Sequence, residues 1–72
     1  MWTSFQQWRE QLAPSVTAFA AMLGVNRAVV SKYEDGIRTR GMPDTLSHAL
    51  VSVLHISNDY LLALQALPPS DD

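Results

Sequence analysis

Gly24 and Asn26 are separated by one residue, Val25, and that spacing constrains the chain more than any other feature. Glycine tolerates the left-handed backbone that ends a helix, and asparagine is a strong helix N-cap. Upstream, Ser15 caps a helix that carries Val16, Phe19, Ala20 and Leu23 at spacings of three and four. Downstream, Val29, Val30 and Tyr33 point inward from a second helix that Gly36 closes. Two short helices joined by so tight a turn cross steeply rather than lie antiparallel. The unit runs from about Ser15 to Gly36.

The same punctuation predicts three more helices. Ser4 and Gln7 form the Ser-x-x-Gln pattern of a capping box, with Phe5, Trp8 and Leu12 on one face and Pro14 as the stop. The segment from Ile37 to Pro43 reads as a loop broken by Gly41 and Pro43. Asp44 is the expected cap of a fourth helix with Leu46, Leu50, Val53 and Leu54 on its inner face. Val51 to Ile56 has some strand character, but the 46/50/53/54 spacing favours helix. Ser57 caps a fifth helix with Tyr60, Leu61 and Leu64 inward, and residues 68–72 read as a solvated tail after a single domain over 1–67.

A 72-residue chain has room for one small core, burying only about 60% of its unfolded surface. Without cysteine, neither disulfides nor thiolate metal sites supplement it. No apolar run approaches the roughly 18 residues of a membrane span. The N-terminus lacks a basic segment followed by an apolar one, which predicts no signal peptide and a cytoplasmic location. Net charge is −2, yet four of the five basic residues, Arg27, Lys32, Arg38 and Arg40, fall within fourteen positions. Only Glu34 and Asp35 oppose them there, so a weak basic region sits on an otherwise acidic chain.

The stretch Phe19-Ala-Ala-Met-Leu-Gly-Val-Asn-Arg-Ala-Val-Val-Ser-Lys-Tyr-Glu-Asp-Gly36 resembles the helix-turn-helix of the phage repressor and Cro family (XRE-type). That family reads roughly L-A-x-x-L-G-V-S-x-x-x-I-S-x-W/Y-E-x-G. Ile56-Ser-Asn-Asp-Tyr-Leu-Leu62 is similar to the family's V-S-x-D-W/E-L-L opening of helix five. The resemblance covers about Phe5 to Leu64 and implies an all-α, five-helix lambda-repressor-like domain. It implies an ion pair between Arg9 and Glu34, tying helix one to the end of helix three. It places Asn26, Arg27, Ala28, Ser31 and Lys32 on the outward face of a recognition helix that enters the major groove. Arg38 and Arg40 match the loop that contacts backbone phosphate. Two positions depart from the pattern: Val16 stands where many members have a glutamine, and Ala28 where a base-reading amide is common.

Two functions from different classes follow. One is a phage- or prophage-type transcriptional regulator that binds double-stranded operator DNA as a homodimer, with surplus leucines around Leu61, Leu62 and Leu64 as the seam. The other is an antirepressor or repressor modulator that uses the same surface, with apolar Val16 and Ala28, to bind a partner repressor. Catalysis is not expected, since no nucleophile turn or Gly-rich phosphate loop is present. No cofactor or metal is expected either, because His48 and His55 stand seven apart with few acids nearby. Trp2 and Trp8 read as core and cap rather than as a platform for stacked bases.

Overall fold

A computed structural model describes residues 2–36 and 41–70. Five helices follow one another: α1 Phe5–Leu12, α2 Val16–Leu23, α3 Arg27–Glu34, α4 Asp44–Leu54 and α5 Asn58–Ala66, with no strand among the described residues. Four caps fall where the polar residues predict them. The side-chain oxygens of Ser4, Ser15, Asn26 and Ser57 accept from the backbone N–H of Gln7, Ala18, Ala28 and Tyr60 respectively. Gly24 ends α2 with a left-handed φ of 74°, a conformation that costs glycine nothing. Ala13, directly before Pro14, is extended, as the proline ring demands, and α1 stops at Leu12.

The details depart from expectation in several places. Gln7 does not close the capping box on Ser4: its Oε1 accepts from the N–H of Thr3, at 2.7 Å. Asp44 is not the cap of α4 but its first residue. Pro43 holds the N-cap position, with its carbonyl accepting from Leu46 and Ser47 and no side-chain bond. A proline has no N–H to leave orphaned there, and Asp44 in the first turn still favours the positive end of the helix dipole. His55 ends α4 in the left-handed region at φ 56°, where glycine is the usual choice. The segment read as a solvated tail is tied down at its start. Phe5 and Gln6 donate their N–H groups to the carbonyls of Pro68 and Pro69, at 2.8 and 3.1 Å. With the Ser4 hydroxyl taking Gln7, the first three helical N–H groups of α1, which have no partner within the helix, are all satisfied.

The core is aromatic at its centre. Phe5 is fully buried against Trp8, Phe19 and Tyr33, with ring centroids 5.4, 6.2 and 5.0 Å away and edge-to-face geometry toward the last two. Val30, Leu46, Leu50 and Leu64 fill the remaining interior from α3, α4 and α5. Backbones approach most closely between α2 and α3, α2 and α4, α3 and α4, and α4 and α5. Leu12 and Val53 were expected inside but are 46% and 40% exposed. Each sits in the last turn of its helix, and apolar spacing defines a face without saying how far the covering helices reach. Tyr60 is also exposed over much of its surface, although its hydroxyl accepts from the Trp8 indole N–H at 3.0 Å.

This division of the apolar residues has a direct check. Leu50→Ala removes a fully buried side chain and is expected to cost about 2–5 kcal/mol in urea unfolding. Leu62→Ala, on a residue 61% exposed, is expected to stay within about 0.5 kcal/mol. Equal effects would place the core elsewhere.

Candidate nucleic-acid interface

The surface of α3 divides cleanly along its length. At 100° per residue, Arg27, Ala28, Ser31 and Lys32 occupy one arc of about 140°, and Val30, Tyr33 and Glu34 occupy the other side. Burial agrees: Arg27, Ala28 and Lys32 are exposed, Ser31 is half-buried, and Val30, Tyr33 and Glu34 are buried. Neither Arg27 nor Lys32 forms an ion pair among the described residues, which leaves two unpaired cations flanking a bare methyl group. Ser31 makes a long contact of 3.5 Å to Asp35, the exposed residue at the C-cap of the helix.

Asn26 stands at the N-terminal edge of this face but is partly committed. Its Oδ1 accepts from Ala28 N–H at 2.8 Å, so its carbonyl oxygen serves the helix start. Val16 is half-buried at the first position of α2 and packs against the core. It is therefore less a surface contact than the resemblance implies. Arg38 and Arg40 lie outside the described residues.

What holds α3 in place is a buried ion pair. Arg9 on α1 and Glu34 at the end of α3 are each only 4% exposed. Arg9 Nε and Nη2 donate to the two carboxylate oxygens of Glu34, at 2.9 and 3.1 Å, a bidentate fork. Arg9 Nη1 donates to the carbonyl of Ala13, at 3.2 Å, so the guanidinium also braces the turn between α1 and α2. No buried side-chain nitrogen or oxygen among the described residues lacks a partner. The hydrogen bond to Glu34 raises the pKa of Arg9 above the ordinary arginine value; burial pulls against it, and the charges of Glu34 and Glu10 add to it. Arg9 is charged throughout the physiological range.

One surface feature has little signal in the sequence. Trp2, Tyr60, Leu64 and Leu67 line an apolar depression of about 400 Å³ that brings the chain's two ends together. Leu62, named with the expected dimer seam, lies outside it, because α5 turns that side chain away. Alternation along α5 identifies apolar residues but not their long-range neighbour, Trp2. No group of three or more His, Asp or Glu able to hold a metal occurs among the described residues, and no helix there is long and apolar enough to cross a membrane.

Two measurements probe this framework. Arg9→Met leaves Glu34 buried without its partner and is expected to cost about 3–5 kcal/mol. Replacing both, as Arg9→Met with Glu34→Leu, is expected to recover most of that loss, because no buried charge remains uncompensated. A double variant as unstable as the single one would contradict the account. The second concerns Tyr33, whose phenol burial pushes above its ordinary value of 10.0. The unfolded chain then releases that proton first, so stability is complete below about pH 10 and falls as pH rises beyond it. Tyr33→Phe is expected to flatten this alkaline decline in thermal melts from pH 8 to 11; an unchanged slope would assign it to another group. No protein-family model, no curated protein and no solved structure matches this chain, so its functional reading rests on its own residues.

Proposed function

We propose that this chain is a small helix-turn-helix transcriptional regulator of phage or prophage type, which reads operator DNA with α3. The observation that carries the reading is the division of α3. One arc bears Arg27, Ala28 and Lys32 to solvent, directly after a three-residue turn from α2, while the opposite arc is anchored by Val30, Tyr33 and the Arg9–Glu34 pair. A rigidly seated helix with cations on its outer arc suits the major groove, where base edges offer acceptors and flanking phosphates offer charge. Arg38 and Arg40 supply further phosphate contacts in this reading. Two copies related by a twofold axis span half-sites about one helical turn apart, with the apolar depression beside Trp2 and Tyr60 as the seam.

A second reading keeps the fold and changes the partner. Ala28 exposed between two cations on a chain of net charge −2 also suits a protein surface, with an apolar centre and a charged rim. In this alternative the chain is an antirepressor or repressor modulator that docks α3 on a partner repressor.

A salt series on the isolated chain separates the two. The regulator is expected to bind a selected duplex at about 10⁻⁸ M or tighter near physiological salt. Arg27→Ala and Lys32→Ala are each expected to cost about 1–3 kcal/mol. Arg38→Ala and Arg40→Ala are each expected to weaken binding to all sequences alike and to reduce the log–log salt slope by about one. Binding no tighter than about 10⁻⁴–10⁻⁶ M on every duplex, together with tight capture of a purified repressor, would favour the second reading.

A further inference from the structure

The exposed arc of α3 offers donors and a methyl group but almost no free acceptor. Arg27 and Lys32 carry only donors. Ala28 carries only a methyl. The Asn26 side chain, the one amide near the start of the helix, has its oxygen engaged by Ala28 N–H at 2.8 Å. The half-buried Ser31 hydroxyl donates its proton to Asp35 at 3.5 Å, and its oxygen is the one acceptor left on the arc. Asp35 itself sits at the far end of α3, about 12 Å along the axis from Arg27 at 1.5 Å per residue, away from the first turn that meets base edges.

Major-groove chemistry then limits what this face can read. Guanine shows two acceptors, N7 and O6, and thymine shows an acceptor and its 5-methyl group. Adenine and cytosine both present an amino donor, which needs an acceptor from the protein. Resting on the operator reading above, we infer that α3 selects guanine and thymine. Arg27 forks onto the N7 and O6 of a guanine, and the Ala28 methyl packs on the 5-methyl of a thymine in the same half-site. Ala28 is in this account the residue that determines specificity, and its missing amide is the means of doing so. A glutamine there would favour adenine.

The test places its first changes on the DNA, where folding of the protein is not at issue, and then repeats them with two variants whose helical content is checked by circular dichroism. A preferred duplex is selected from a random pool with the full chain. Each thymine is then replaced in turn by uracil, and each guanine by 7-deazaguanine, with affinities read by fluorescence anisotropy. Uracil at one thymine per half-site is expected to weaken binding about three- to fivefold, the effect of one buried methyl group. 7-Deazaguanine at one guanine is expected to weaken it about fivefold or more, since the fork loses one of its two acceptors. Ala28→Gly is expected to abolish the uracil penalty, and Arg27→Ala the deazaguanine penalty. A selected duplex bound tightly but indifferent to uracil at every position overturns the inference and leaves the operator reading standing. So does a uracil penalty that persists undiminished in Ala28→Gly. Failure to select any duplex overturns both.

Discussion

The Arg9–Glu34 ion pair is the constraint on which the rest of this small domain depends. Two ions removed from water carry a desolvation cost of several kcal/mol each, which only excellent geometry offsets. Here both carboxylate oxygens and three guanidinium nitrogens are engaged, so the cost is met by hydrogen bonds in defined directions. An apolar contact tolerates sliding; a bidentate fork does not. The pair therefore fixes the rotation of α3 about its axis as well as its position. Eight-residue helices are marginal in isolation, and this one has no reason to present a particular arc outward unless something holds the other arc.

Arg9 in turn is placed by the way α1 is held. Close backbone packing links α2, α3, α4 and α5, whereas α1 attaches through long side chains: Phe5 into the aromatic centre, Trp8 to the Tyr60 hydroxyl, and Arg9 to Glu34. Its N-terminal donors are satisfied by the far end of the chain at Pro68 and Pro69. Those two carbonyls hold the start of α1, Arg9 braces its end against Ala13, and the exposed arc of α3 lies beyond. Domain stabilities are only about 5–15 kcal/mol, so loss of one buried charge is a large fraction of the whole.

Much of this was legible in the sequence because local chemistry decided it. Ser4, Ser15, Asn26 and Ser57 cap helices because their oxygens reach orphan donors two or three residues away, and Gly24 is left-handed because it has no Cβ. What the sequence left unclear lies at long range. Nothing in the Pro68-Pro69 stretch signals that its carbonyls cap a helix more than sixty residues earlier. The spacing of Phe5, Trp8 and Leu12 did not show that Arg9 rather than Leu12 turns inward, since that choice depends on Glu34. Pro43 displaced Asp44 from the cap position because proline suits the extended backbone just before a helix. On the candidate interface, the outward positions of Arg27, Ala28 and Lys32 could be read from helical period alone. The capping bond that occupies Asn26 and the packing that half-buries Val16 depend on structure.

The central claim is that the outer arc of α3, fixed from behind by Arg9 and Glu34, is the surface that meets DNA. Backbone amide chemical shifts of the labelled chain, followed by NMR during titration with a duplex, test it most directly. The account predicts shifts concentrated at Asn26, Arg27, Ala28, Ser31 and Lys32, with Leu62 and Gln65 on α5 unmoved. Shifts centred on Trp2, Tyr60 and Leu67 instead, with α3 silent, would contradict it.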